Sequence, residues 1–228
     1  MAHARSVRQP IQVPPGTIGA QKQPKLQAKR SMQDTVEVSS DSDSDDSSGV
    51  EIEEPSPEEP SPIPPTRPTE PLAAARYDTL QAIWSPRNRR PNAEKVKNAL
   101  VAFKDVVKAV RDTWKESSQA MKTAENQGDS GKATQLKNQV VLQRRVMDVV
   151  ISTTLEMGHP MIVEKLGEHP MAVTAMYSFL LDRHQAADFD GELTLKILKL
   201  LSSFTTVDED TLQKTNVAKV LPRFGKKG

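Results

Sequence analysis

The spacing of apolar residues changes at a seam near Pro71. Beyond Asn92 they recur every three or four positions, at Val96, Leu100, Phe103, Val107, Val110, Trp114 and Met121, with lysines and acids between them. That stripe predicts a helix of about 30 residues. The glycine-marked run ENQGDSG at 125–131 interrupts it. A second stripe through Leu136, Val140, Met147, Val150, Ile151 and Leu155 predicts another helix over about 132–157. Two long amphipathic helices joined by a short polar break make an antiparallel hairpin. Two similar punctuation marks follow, Gly158-His159-Pro160-Met161 and Gly167-Glu168-His169-Pro170-Met171. Proline suits a first helical turn, where its missing N–H has no partner to lose, so each mark ends one helix and opens the next. The elements expected from them are a short helix near 160–166 and a longer one near 170–184. After a loop at 185–191, ELTLKILKLLSSF predicts an apolar helix, and TTVDEDTLQKT a turn into a short one. NVAKVLPRFGKKG predicts a last element that Pro222 should end or kink early.

Before the seam there is no such stripe. Residues 1–30 carry Arg5, Arg8, Lys22, Lys25, Lys29 and Arg30 without an acid. Residues 34–59 carry acids from Asp34 to Glu59 without a lysine or arginine, so the formal net charge of +1 conceals two opposed blocks. Such blocks have too little apolar surface to repay the entropy of ordering. The expected organisation is a disordered arm over 1–71, ending in a proline-rich spacer at 55–71, then a basic linker at 72–91. An all-α bundle over 92–228 follows, with the hairpin at 92–157 and a small helical bundle at 158–228.

Within the arm, Ser40, Ser42 and Ser48 each have an acid three residues later, and Ser56 and Ser61 each precede proline. These are candidate phosphorylation sites, each adding roughly −1.5 to −2 charges. Val36-Glu37-Val38 and Val50-Glu51-Ile52 are short apolar pairs beside acids, suited to adding a strand to the sheet edge of the small ubiquitin-like modifier. The basic clusters at Lys22–Arg30 and at Arg87, Arg89 and Arg90 suit nuclear import or phosphate contact. With the acidic serine run, they point to the nucleus.

The chain has no cysteine, which excludes disulfides, thiolate zinc sites and a cysteine nucleophile. No phosphate-binding glycine loop, GxSxG turn or HExxH pair occurs, and no run of about 18 apolar residues suggests a membrane span. His159, His169 and His184 read as turn residues, and Asp208, Glu209 and Asp210 as acids at a helix start. The expectation is a non-enzymatic protein with no catalytic residue, metal or cofactor.

The segment from about Leu193 to Lys227 resembles the conserved half of the N-terminal helical domain of transcription elongation factor IIS and its relatives. That family extends distantly to the integrase-binding domain of lens-epithelium-derived growth factor. A leucine-rich helix (Leu195–Leu201), Thr206-Val207, and a register through Leu212, Thr215, Val217, Lys219, Leu221 and Phe224 carry the likeness. Ala218 stands where the family has glycine, and Pro222 where it continues a helix. The family's later helices have no counterpart here, so either the chain is a fragment or the helices of 92–184 close the bundle. The resemblance implies a docking bundle that grips short linear motifs of disordered transcription and chromatin factors. The matching partner-binding positions are Asp188, Phe189 and Asp190 in one loop and Arg223 and Phe224 at another. A phenylalanine in so polar a loop as ADFDGE either packs into its own core or is left as an anchor.

The resulting expectation is a nuclear adaptor or scaffold of transcription or chromatin that binds nuclear proteins through linear motifs. Two other readings stay open. One is nucleic-acid binding through Lys95, Lys97, Lys104, Lys108, Arg111, Lys115, Arg144 and Arg145, although acids interleave with them and aromatic platforms are scarce. The other is homo-oligomerisation through the hairpin stripe.

Overall fold

A computed structural model describes residues 57–225, and in them every regular element is helical. Residues 1–56 of the expected arm, with its candidate sites Ser40, Ser42, Ser48 and Ser56 and the motifs Val36-Glu37-Val38 and Val50-Glu51-Ile52, lie outside the described residues.

The first helix, α1 (Pro71–Ile83), occupies a stretch expected to be a linker. Glu70 starts it, its carboxylate accepting the N–H groups of Leu72 and Ala73 at 3.0 and 2.6 Å, with Pro71 in the first turn. Trp84 then turns extended, ending the helix two residues ahead of Pro86. What holds α1 in place is burial. Leu80 and Ile83 are fully enclosed, and Ala74, Ala75 and Ala82 are small enough to let the backbone lie close to its neighbours. Those alanines form no conspicuous stripe, so periodicity alone did not reveal the helix.

The hairpin is formed by α2 (Ala93–Asn126) and α3 (Ser130–Met157). Asn92 caps α2 by accepting the Lys95 N–H at 2.7 Å, and Asp129 caps α3 through Lys132 at 2.9 Å. Gly128 makes the tight return between them, at φ +73°. With 34 residues, α2 spans about 50 Å. Phe103 and Val107 on α2 meet Met147, Val150 and Ile151 on α3, all fully buried in one core with α1.

Both His-Pro-Met marks open helices as expected. His159 and His169 each turn Nδ1 toward the N–H two residues on, Met161 and Met171, at 3.3 Å. The first opens α4 (Pro160–Val163), one turn only, and a 3-10 turn at Leu166–Glu168 replaces the rest of the expected helix. The second opens α5 (Pro170–Gln185). Gly158 is required by space, because a Cβ there would lie 2.5 Å from both the Thr154 carbonyl oxygen and the Val163 side chain. The next N–H, of His159, donates to the Ile83 carbonyl at 3.2 Å and ties the end of α3 to the end of α1.

The chain closes with α6 (Glu192–Ser202), α7 (Glu209–Lys214) and α8 (Val217–Gly225). Asp208 caps α7 through the Thr211 N–H at 2.7 Å, and Asn216, at φ +61°, separates α7 from α8. Of the two outcomes expected at Pro222, an early end or a kink, the early end does not occur, and α8 continues to Gly225. The proline removes one backbone hydrogen bond, but Val217 and Val220 are buried and Leu221 and Phe224 pack on the core, which outweighs that loss. The core runs without a break from Ala75 on α1 to Val220 on α8, so the hairpin and the helices after it share one interior.

Candidate functional site

The two segments singled out by the sequence, 188–190 and 223–224, come together. After α5 ends, Ala186 and Ala187 reverse the chain, with Ala187 at φ +55°. The Asp188 N–H donates to the Arg183 carbonyl at 2.9 Å, and the Asp188 carbonyl accepts from the Thr194 hydroxyl at 3.0 Å. Gly191 leaves room for the Asp188 carboxylate, which a Cβ would approach to 2.1 Å at Oδ1 and displace. These contacts fix the loop so that the Phe189 ring faces the Phe224 ring edge-on, centroids 5.8 Å apart at 67°.

A third ring completes the arrangement. His184, in the last turn of α5, lies 5.5 Å from Phe189 at 86° and 5.9 Å from Phe224 at 75°. All three rings are half-buried, and their edge-to-face geometry is the one that aromatic quadrupoles favour. Phe189 is thus neither enclosed in the core nor standing apart. His184, expected to be a turn residue, instead places its ring against both phenylalanines. Its place one loop ahead of Phe189 was the available signal, but the approach of Phe224 depends on the packing of α8 against α5.

The charged candidates divide. Asp188 is held by Arg183 at 3.1 Å, and Arg183 also bonds Asp182 at 2.6 Å. Asp182 takes a two-pronged bond from Arg144 of α3, both contacts 2.8 Å. Asp188 therefore belongs to a network bracing the loop against α3 and α5. Asp190 and Arg223 are exposed and form no ion pair among the described residues. The ring cluster is flanked in sequence by one uncommitted acid and one uncommitted base.

Ser61 is exposed, its hydroxyl accepting the Ile63 N–H at 3.3 Å. Of the cations considered for nucleic acid, several are occupied within the bundle: Arg144 by Asp182, Lys108 by Asp112 at 2.6 Å, and Lys104 by Asp105. Arg111 bonds Ser178 at 3.1 Å as well as Asp112. Lys95 lies 6.0 Å over the Trp84 ring. Among the described residues no three His, Asp or Glu side chains converge as metal ligands, and no helix is long and apolar enough to cross a membrane. No family model, curated protein or solved structure matches this chain.

Proposed function

We propose that the protein is a non-enzymatic nuclear adaptor of transcription or chromatin, whose helical bundle captures short linear motifs of partner proteins at the His184–Phe189–Phe224 cluster. The observation that carries this reading is the convergence of two phenylalanines, 35 positions apart in the chain, on one half-buried patch with Asp190 and Arg223 beside them. A partner's apolar side chain gains by covering such rings, and the flanking charges orient it. The likeness of Leu193–Lys227 to the elongation factor IIS domain supports the same reading, as does the opposed charge patterning before Pro71.

The test is a display selection of peptides from disordered nuclear proteins against the full chain. Selected peptides are expected to lose about tenfold or more in affinity for Phe224→Ala and Phe189→Ala, the cost of a truncated anchor. Far-UV circular dichroism of the variants should stay close to that of the parent. Unchanged affinity in both variants would contradict the proposal. A collapse of helical signal would make the rings structural, and Arg223→Glu, an exposed substitution, would then decide whether the patch binds.

A further inference from the structure

A second feature, built from other residues, lies at the start of α2. A groove of about 570 Å³ opens there, between the loop before α2 and the turn of α4. Its volume falls within the range of about 300–1,000 Å³ typical of ligand pockets. The floor is apolar, with Val96 buried and Leu100 and Met161 half-buried. The rim is mainly cationic: Arg90 and Lys97 are exposed without an ion pair among the described residues, and Lys165 shares its charge with Glu168 at 3.2 Å.

The loop that supplies Arg90 is braced from several sides. Ser85, Pro86 and Pro91 are buried, the Arg87 guanidinium donates to the Glu156 carbonyl at 2.6 Å, and the Arg87 N–H donates to Glu59 at 2.8 Å. Asn88 donates to the Pro57 carbonyl at 2.7 Å. Arg87 is therefore committed to the fold, whereas Arg90 is presented to solvent on a fixed backbone. A preformed site pays less ordering entropy on binding.

We infer that this groove docks an acidic peptide segment of a partner protein, one that places a single large apolar side chain on the Val96–Leu100–Met161 floor and its carboxylates against Arg90 and Lys97. Charge complementarity selects the acids, and the floor selects the apolar anchor. Nucleic acid fits less well, because no aromatic ring lines the groove for base stacking, whereas a peptide's apolar side chain can use the Val96–Leu100–Met161 floor. The inference is independent of the ring cluster.

The test is fluorescence anisotropy with the full chain and a labelled peptide of about ten residues, acidic throughout except for one central leucine. Saturable binding is expected. It should weaken about tenfold or more when the leucine becomes glycine, and likewise for the doubly reversed protein Arg90→Glu, Lys97→Glu. Both positions are exposed, so the reversed protein is expected to fold. Phe224→Ala should leave the affinity unchanged, and a loss there would assign the binding to the ring cluster and overturn the inference. Equal affinity for the leucine and glycine peptides would also overturn it, since charge alone would then suffice. So would tighter binding of an oligonucleotide of equal charge. Binding that appears only after residues 1–56 are removed would mean that the chain's own acidic stretch takes the place of the partner, and absence of saturable binding would end the proposal.

Discussion

Ser152 shows how one side chain can sit against its own fold. Its hydroxyl is buried in α3 and finds no hydrogen-bond partner among the described residues, whereas Thr154, two positions on, returns its hydroxyl to the Val150 carbonyl at 2.7 Å. An unmatched buried hydroxyl costs about 1–3 kcal/mol, and alanine is the better helix former. Ser152→Ala should therefore raise the thermal midpoint by a few degrees, roughly 2–4 °C per kcal/mol for a chain of this size. A lowered midpoint would show that the hydroxyl has a partner or that its volume matters. The site residues were legible to different depths at this scale. Phe189 was conspicuous because an aromatic ring in ADFDGE has no local reason to be there. That Asp188 would be held by Arg183 was not legible, since that contact depends on how Ala187 turns the loop back on α5.

Among the elements, α2, α3, α5 and α6 could be read from period and punctuation because each has apolar residues at helical spacing. α1 could not, because its buried positions are largely alanines and a threonine in a proline-flanked stretch. The depth of those positions became visible only with α2 and α3 in place. Pro222 misled in the opposite direction, because a strong local stop signal was outweighed by the packing of Val217 and Val220. The cap of α1 gives this scale its prediction. The Ala73 and Leu72 N–H groups, in that order, hold the Glu70 carboxyl below the usual carboxylate range. A lowered folded-state value means that the cap's contribution is present above the ordinary glutamate value and is lost as pH falls through the folded one. The Ala73 amide shift should thus titrate with a midpoint below that of an ordinary glutamate, and Glu70→Gln should abolish the titration. A midpoint at or above the ordinary value would contradict the cap.

Across the molecule, the shared core from α1 to α8 implies that the stretch read as a linker is part of the bundle. Leu80 is 2% exposed and belongs to the same packed interior, so Leu80→Ala should cost about 2–5 kcal/mol, seen as a lowered denaturant midpoint with a single transition. A loss under about 1 kcal/mol would mean that α1 lies loosely on the hairpin. All-helical architecture was legible at this scale from the apolar stripes that recur every three or four positions beyond Asn92. The convergence of 184, 189 and 224 was not, because it depends on α8 meeting α5 across the intervening residues 186–216. The most direct test of the docking proposal is a nuclear magnetic resonance titration of the full chain with a peptide from the display selection. The account predicts that amide shifts concentrate at residues 184–190 and 223–225. Shifts confined to the hairpin or the start of α2, with those residues unmoved, would contradict it.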